Sequence, residues 1–204
     1  IMFITLEGPE GSGKSMQICE MAEFLRGYGK QVLTTREPGG TFIGDQIREV
    51  IMRMDNTMMR PRAEILLFCA ARGQIVEEVI RPNLQKGLVV ISDRYADSTL
   101  AYQGYGHGLD LETLKLILHF ATGGLKPDLT LLLDVDVEEG LNRRRIGGGE
   151  WNRLDAQQLA FHQRVRQGYL KMAEEEPERW RVINARQKPP QVQADIQSVL
   201  KEII

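Results

Sequence analysis

The 204-residue chain has 26 basic and 28 acidic side chains, a formal net charge of −2, and 42% hydrophobic residues. This length fits one domain and can bury a core without covalent staples. The balanced charge excludes a protein that grips nucleic acid or an anionic membrane through a concentrated basic face, and no stretch approaches the roughly 18 apolar residues of a membrane span. The start, IMFITLEGPEG, lacks the basic and long apolar regions of a secretory signal, so a cytoplasmic location is expected. Cys19 and Cys69 are too few for a disulfide framework or a zinc site and read as small buried residues.

Short apolar runs alternate with longer amphipathic stretches. Phe3–Leu6 predicts a first strand and Lys14–Arg26 the helix after it. Gln31–Thr35 predicts the second strand, followed by helices over Thr41–Met52 and Ala63–Arg81, the latter ended by Pro82. Leu88–Ser92 is the third strand candidate, with helices over Asp97–Gln103 and Leu111–Thr122. Leu129–Leu133 is the fourth, with helices over Val137–Arg145 and Asp155–Glu175 and Pro177 just beyond the end. Arg181–Asn184 and a helix over Pro190–Ile203 complete the pattern. Most strand runs are continuously apolar, as in a sheet covered on both faces. The alternation therefore predicts a single α/β domain over residues 1–204, its five strands parallel and joined by right-handed crossovers. Three consecutive glycines in Ile146–Asn152 (IGGGEWN), flanked by arginines, read as a mobile lid over about 143–155, with a plain surface loop as the alternative.

Residues Gly8, Pro9, Glu10, Gly11, Ser12, Gly13, Lys14 and Ser15 spell GPEGSGKS, a full G-x-x-x-x-G-K-[ST] match between a strand and a helix. Glycine lets the backbone turn tightly enough for N–H groups to converge on the phosphates of ATP, and the helix N-terminus favours an anion. Lys14 would reach the β and γ phosphates and the Ser15 hydroxyl would ligate Mg²⁺. Two strand candidates run into aspartates, Asp93 and Asp134, and a carboxylate at such an edge can hold Mg²⁺ directly or through water. Asp93 is preferred, because Asp134 also reads as a strand terminator capping the next helix.

The chain has no Asn-Lys-x-Asp guanine reader, but Arg36 and Arg94 follow the second and third strands, and Arg143–Arg145 and Arg153 bracket the glycine run. Guanidinium forks at fixed positions suit both a phosphomonoester acceptor and the charge of a phosphoryl group in transfer. Phe68 and Arg72 lie one helical turn apart and share a face, as a base platform with an edge reader would. Spacing alone favours the plainer reading, a core phenylalanine and a solvated arginine.

GPEGSGKS, REPGGT at Arg36–Thr41, LLFCAAR at Leu66–Arg72 and DRYADSTLAYQG at Asp93–Gly104 together resemble the bacterial thymidylate kinase family, in order and spacing over almost the whole chain. The resemblance implies a P-loop nucleoside monophosphate kinase architecture, ATP as donor, Mg²⁺, thymidine monophosphate as acceptor, and a homodimer built through helices. It implies that Phe68 stacks on thymine, Arg72 bonds its O4 edge, and Thr99 and Gln103 read the remaining edge. Tyr102 would lie under the sugar and disfavour a 2′-hydroxyl, Glu10 would approach the 3′-hydroxyl, and Arg36 and Arg94 would hold the acceptor phosphate. Gly11 stands where one branch of the family carries a basic residue, so this chain resembles the branch whose lid supplies the catalytic arginine. NRLD at Asn152–Asp155 stands in place of that branch's DRIE or DRFE and points to Arg153, with Arg143–Arg145 as the competing source. Lys14, Arg94, Arg153 and Glu10 are then the expected catalytic set. Two other readings stay open: a kinase for another nucleoside monophosphate or a deoxynucleoside, and a nucleotide-dependent switch without turnover.

Overall fold

Apolar runs too continuous for one wet face become strands β1 (Met2–Glu7), β2 (Val32–Arg36), β3 (Val89–Asp93), β4 (Leu129–Asp134) and β5 (Trp180–Asn184). The computed structural model describes residues 2–147 and 151–204. Its single sheet is parallel throughout, in the order β2-β3-β1-β4-β5. Alternate residues enter two cores, which explains the lack of polar alternation. On one face Ile4, Leu6, Ile91 and Leu131 pack against α1 (Lys14–Gly27) and α9 (Pro189–Lys201) through Met21, Leu25 and Ile196. On the other, Phe3 and Val90 meet Ile75, Val76 and Ile80, while Leu132 meets Val165 and Tyr169 of α8 (Leu159–Glu175).

Ile75 is the last residue of α3 (Pro61–Ile75), which packs between α2 (Phe42–Met52) and α6 (Leu111–Thr122). Pro82 does not end this helical run as expected. A π-helical turn over Val76–Ile80 follows α3, with the Arg81 amide donating to Val76 O, and α4 (Arg81–Gln85) then carries Pro82 as its second residue, so the run widens at the proline instead of stopping. A second departure lies after β3. The helix expected over Asp97–Gln103 is α5 (Ala96–Thr99) running into a π-helical segment, Leu100–Gly106. The helix expected from Asp155 begins four residues later, because Asn152 and Asp155 fold a turn first: Asn152 Oδ1 accepts from the amides of Leu154 and Asp155, and Asp155 Oδ2 from that of Asn152. Of the two cysteines only Cys69 is buried; Cys19 lies on the wet side of α1. Among the described residues no helix is long and apolar enough to cross a membrane.

Register brings the strand ends to one edge. Leu6 and Arg36 both pair with Asp93, so the residues following β1, β2 and β3 open into the same crevice. The remaining helix, α7 (Val137–Ile146), follows β4 and contains Arg143–Arg145 in its last turn. Residues 148–150, the centre of the expected lid, lie outside the described residues.

Candidate active site

The loop from Gly8 to Ser15 joins β1 to α1 with Gly8, Gly11 and Gly13 at φ of 143°, 69° and 90°, a region that side chains resist. Gly11 has a second constraint: a Cβ there would sit 1.9 Å from the carbonyl oxygen of Gly140 on α7. The loop and the root of α7 thus touch backbone to backbone, which leaves no room for a basic side chain at this point. Lys14 folds back over the loop, donating to the carbonyls of Gly8 and Pro9 (3.0 Å each) and to Ser12 Oγ at 3.1 Å. Burial and the Arg94 charge push its ammonium down to about 8, against the pull of Glu10, Asp93 and Glu7.

Ser15 Oγ donates to Asp93 Oδ2 at 2.9 Å. Asp134 is engaged elsewhere, its two oxygens bridged by Arg166 at 2.7 and 2.8 Å. Asp93 is therefore the strand-end carboxylate that faces the loop. A hydroxyl and one carboxylate beside a phosphate cradle fit Mg²⁺, which keeps most of its waters and takes the rest of its shell from phosphates. Among the described residues no cluster of three or more His, Cys, Asp or Glu could cage a metal.

Arg94 adopts φ 70°, uncommon for a non-glycine residue and costly by about 1–3 kcal/mol unless its surroundings enforce it. Here they do. Its amide donates to Leu6 O, and Nη1 donates to Gly8 O, Ser98 Oγ and Tyr169 OH. Nη2 donates to Glu10 Oε1 and Tyr102 OH, both at 3.0 Å. Glu10 also accepts from Tyr102 OH at 2.5 Å. Burial alone would raise the Glu10 carboxyl, but Arg94, Lys14 and the Tyr102 hydroxyl outweigh it and hold the group at about 2. Beneath lies Glu7, unforeseen in the sequence. It accepts from the Tyr95 amide, Ser98 Oγ and Tyr169 OH, and burial pushes it up to about 7 although Arg94 pulls the other way.

A cleft of about 410 Å³ runs from this cradle to Phe68, Arg72, Thr99, Tyr102 and Gln103. Arg72 is not the solvated charge that spacing favours. It is 1% exposed, with Nε on Glu37 Oε2 (2.7 Å), Nη1 on Thr99 Oγ1 (2.9 Å) and Nη2 on Tyr95 O (3.1 Å). Its counter-charge comes from the turn after β2, a contact that helical spacing does not reveal. Arg36 reaches the same cleft half-exposed and bonded to Asp45. Arg48 was not anticipated; it lines the cleft and donates to Pro38 O at 2.9 Å. Its one sequence signal is helical phase, since Met52, one turn on, lines the cleft too.

The arginines flanking the expected lid divide. Arg153 lies outside the cleft, lining an adjoining cavity of about 280 Å³ with Met54, Glu64 and His107; it donates to Ile51 O at 3.0 Å and pairs with Glu64. Arg144 does line the cleft and donates to Asp155 Oδ2 at 3.3 Å. Arg143 bonds Ala185 O at 2.8 Å, and Arg145 lies over the Trp151 ring.

The model of the thymidylate kinase family matches residues 6–196. A thymidylate kinase of Roseiflexus sp. (strain RS-1) is 53% identical over 197 residues, covering 91% of this chain and 87% of that protein. One from Carboxydothermus hydrogenoformans is 50% identical over 199 residues, covering 98% and 96%. The crystal structure of thymidylate kinase from Ehrlichia chaffeensis matches this fold with a TM-score of 0.79 at 34% identity, over 98% of each chain. Phosphate loop, sheet order and near full-length similarity agree: the chain belongs to the thymidylate kinase family.

Proposed function

We propose that this protein transfers the γ-phosphoryl group of ATP to thymidine monophosphate, giving ADP and thymidine diphosphate. The observation that carries this reading is one continuous cleft joining the phosphate loop to a pocket that pairs an aromatic face, Phe68, with a buried guanidinium, Arg72. An ATP-driven switch has no use for such a second pocket, and neither that reading nor a kinase for another nucleoside monophosphate or a deoxynucleoside is favoured.

Lys14 leaves the carbonyls of Gly8 and Pro9 for the β and γ phosphates of ATP. Arg36, Arg48 and Arg94 hold the acceptor phosphate, whose oxygen attacks the γ-phosphorus in line as the bond to ADP breaks. That phosphate is largely ionised near neutral pH, so positioning and charge, rather than a strong base, lower the barrier. Glu10, ionised beside Arg94, accepts from the sugar 3′-hydroxyl, and Tyr102 packs under the ring where a 2′-hydroxyl would crowd. Ser15 and Asp93 would hold Mg²⁺, which when bound offsets charge on the β and γ oxygens. For the lid we favour Arg144 over Arg153, because Arg144 lines the cleft while Arg153 lines the adjoining cavity. A homodimer is the assembly we favour, supported by exposed Phe42, Leu66, Leu116 and Phe120 on the adjacent helices α2, α3 and α6.

Steady-state assay with ATP, magnesium and thymidine monophosphate tests the reading. Wild type is expected to form thymidine diphosphate, and Lys14→Ala to lose about 10²-fold or more in kcat. Arg144→Ala should lower kcat more than Arg153→Ala, and the reverse order would return the lid role to Arg153. No product with wild type, or a preference for uridylate or cytidylate, overturns the assignment.

A further inference from the structure

Beside the cleft, α3 carries a buried carboxylate that the mechanism above leaves unused. Glu64 is 2% exposed. Its Oε1 accepts from Gln103 Nε2 at 2.6 Å, its Oε2 pairs with Arg153 Nη2, and His107 Nε2 lies 3.6 Å away. Burial would raise this carboxyl, but His107, Arg153 and Gln103 outweigh it and hold the group below the usual range, hence ionised. An ionised carboxylate can only accept, so Gln103 has to turn its NH₂ group toward Glu64. The carbonyl oxygen of Gln103 then has no partner among the described residues, and Gln103 lines the cleft with Arg72 and Thr99.

We propose that Glu64 is a specificity-determining positioning residue, locking the Gln103 amide so that its oxygen faces the acceptor base and accepts the ring N3–H. The inference rests on the thymidylate reading of the cleft. Along its edge thymine offers an acceptor, O4, and then a donor, N3–H. Cytosine offers the opposite, a donor amine and then an acceptor nitrogen. Arg72 can only donate, and its contacts with Glu37, Thr99 and Tyr95 leave one Nη1 N–H unused. With the Gln103 oxygen forward, the pair complements thymine and opposes cytosine at both positions. A glutamine free to turn over would match the ring nitrogen of either base and leave Arg72 alone to oppose cytosine. Half of the discrimination therefore comes from a carboxylate that does not touch the base.

Glu64→Gln tests this, because Arg153 decides what the new amide does. Arg153 claims its oxygen, which leaves its NH₂ facing Gln103 and forces the Gln103 amide to reverse. The ratio of kcat/KM for thymidine over deoxycytidine monophosphate is expected to fall about 10–100-fold, with the deoxycytidine value itself rising and KM for ATP moving by less than about twofold. In a Gln103→Ala background the same substitution should leave the ratio unmoved, since nothing remains to orient. A merely structural Glu64 would lower both acceptors alike and add to the loss from Gln103→Ala. Glu64→Asp keeps a charge for Arg153 but draws back from Gln103, so it should give an intermediate ratio and serves if Glu64→Gln does not fold. An unchanged ratio in either folded variant overturns the proposal. Absence of thymidylate turnover in wild type would instead overturn the function on which it rests.

Discussion

Glu7 and Glu10 sit three residues apart beside one guanidinium, yet their environments drive them in opposite directions. Glu7 has no exposed surface, and burial raises its carboxyl to about 7. Glu10 faces the cleft, where Arg94 and Lys14 overcome burial and hold it at about 2. Both refer to an unfolded value of 4.5. Between pH 4.5 and 7 the folded chain keeps a proton on Glu7 that the unfolded chain has released, so stability falls as pH rises through that window. The loss is on the order of 3 kcal/mol. Glu10 has the opposite sign: its contribution is full above pH 4.5 and is lost as pH falls toward 2. Urea unfolding at a series of pH values is expected to show a decline from pH 4.5 to 7 in wild type that Glu7→Gln flattens, while the rise from pH 2 to 4.5 remains. If wild type and Glu7→Gln decline equally, the proton is not on Glu7.

Among elements, the π-helical segment Leu100–Gly106 governs the acceptor pocket, because Tyr102 and Gln103 ride on it and α8 packs directly beneath. That contact closes at Gly168, where a Cβ would lie 2.5 Å from ring atoms and 2.8 Å from the Cβ of Tyr105. A Cβ cannot rotate away, so the segment itself has to move. Gly168→Ala is expected to destabilise the fold by about 1–3 kcal/mol and to raise KM for thymidine monophosphate several-fold with KM for ATP little changed. Denaturation and steady-state kinetics together check it, and an equal rise in both KM values would deny the segment its selective role. The same segment shows what the sequence conceals. Strands were legible because residues such as Phe3 and Ile4 are buried on opposite faces of β1, leaving unbroken apolar runs. The phosphate loop was legible because its geometry is local, set by glycines within eight residues. A π turn is a slip in hydrogen bonding decided by packing partners distant in the chain, so neither Leu100–Gly106 nor the turn before Pro82 left a pattern. Helical spacing could not show the burial of Arg72 for a related reason: its counter-charge, Glu37, is brought to it by β2 rather than by its own helix. Arg144 and Arg153 flank the same glycines, and only tertiary packing turns one into the cleft and the other onto Glu64.

At the scale of the whole molecule, α3 links the cleft to the outer surface. Phe68 and Arg72 face inward from it, while Leu66 is 61% exposed on the outside. The neighbouring helices extend that apolar surface, with Phe42 on α2 at 82% exposed and Phe120 on α6 at 90%. Scattered exposed apolar residues need no explanation, but aromatics this bare on adjoining helices are where the homodimer proposed above would form its seam. Such a seam would brace α3 from behind, fixing the angle at which Phe68 and Arg72 meet the acceptor. Light scattering after size exclusion is expected to give twice the chain mass of 23.2 kDa for wild type and the single chain mass for Phe120→Glu, since a charge buried without a partner opposes association. The monomer should keep the phosphate loop and its affinity for ATP, because α1 and the loop pack on the sheet far from α6. Its KM for thymidine monophosphate should rise several-fold as α3 loosens. A monomeric wild type would remove the seam, and a monomeric variant with unaltered thymidylate kinetics would show that α3 holds the base pocket without help from a partner.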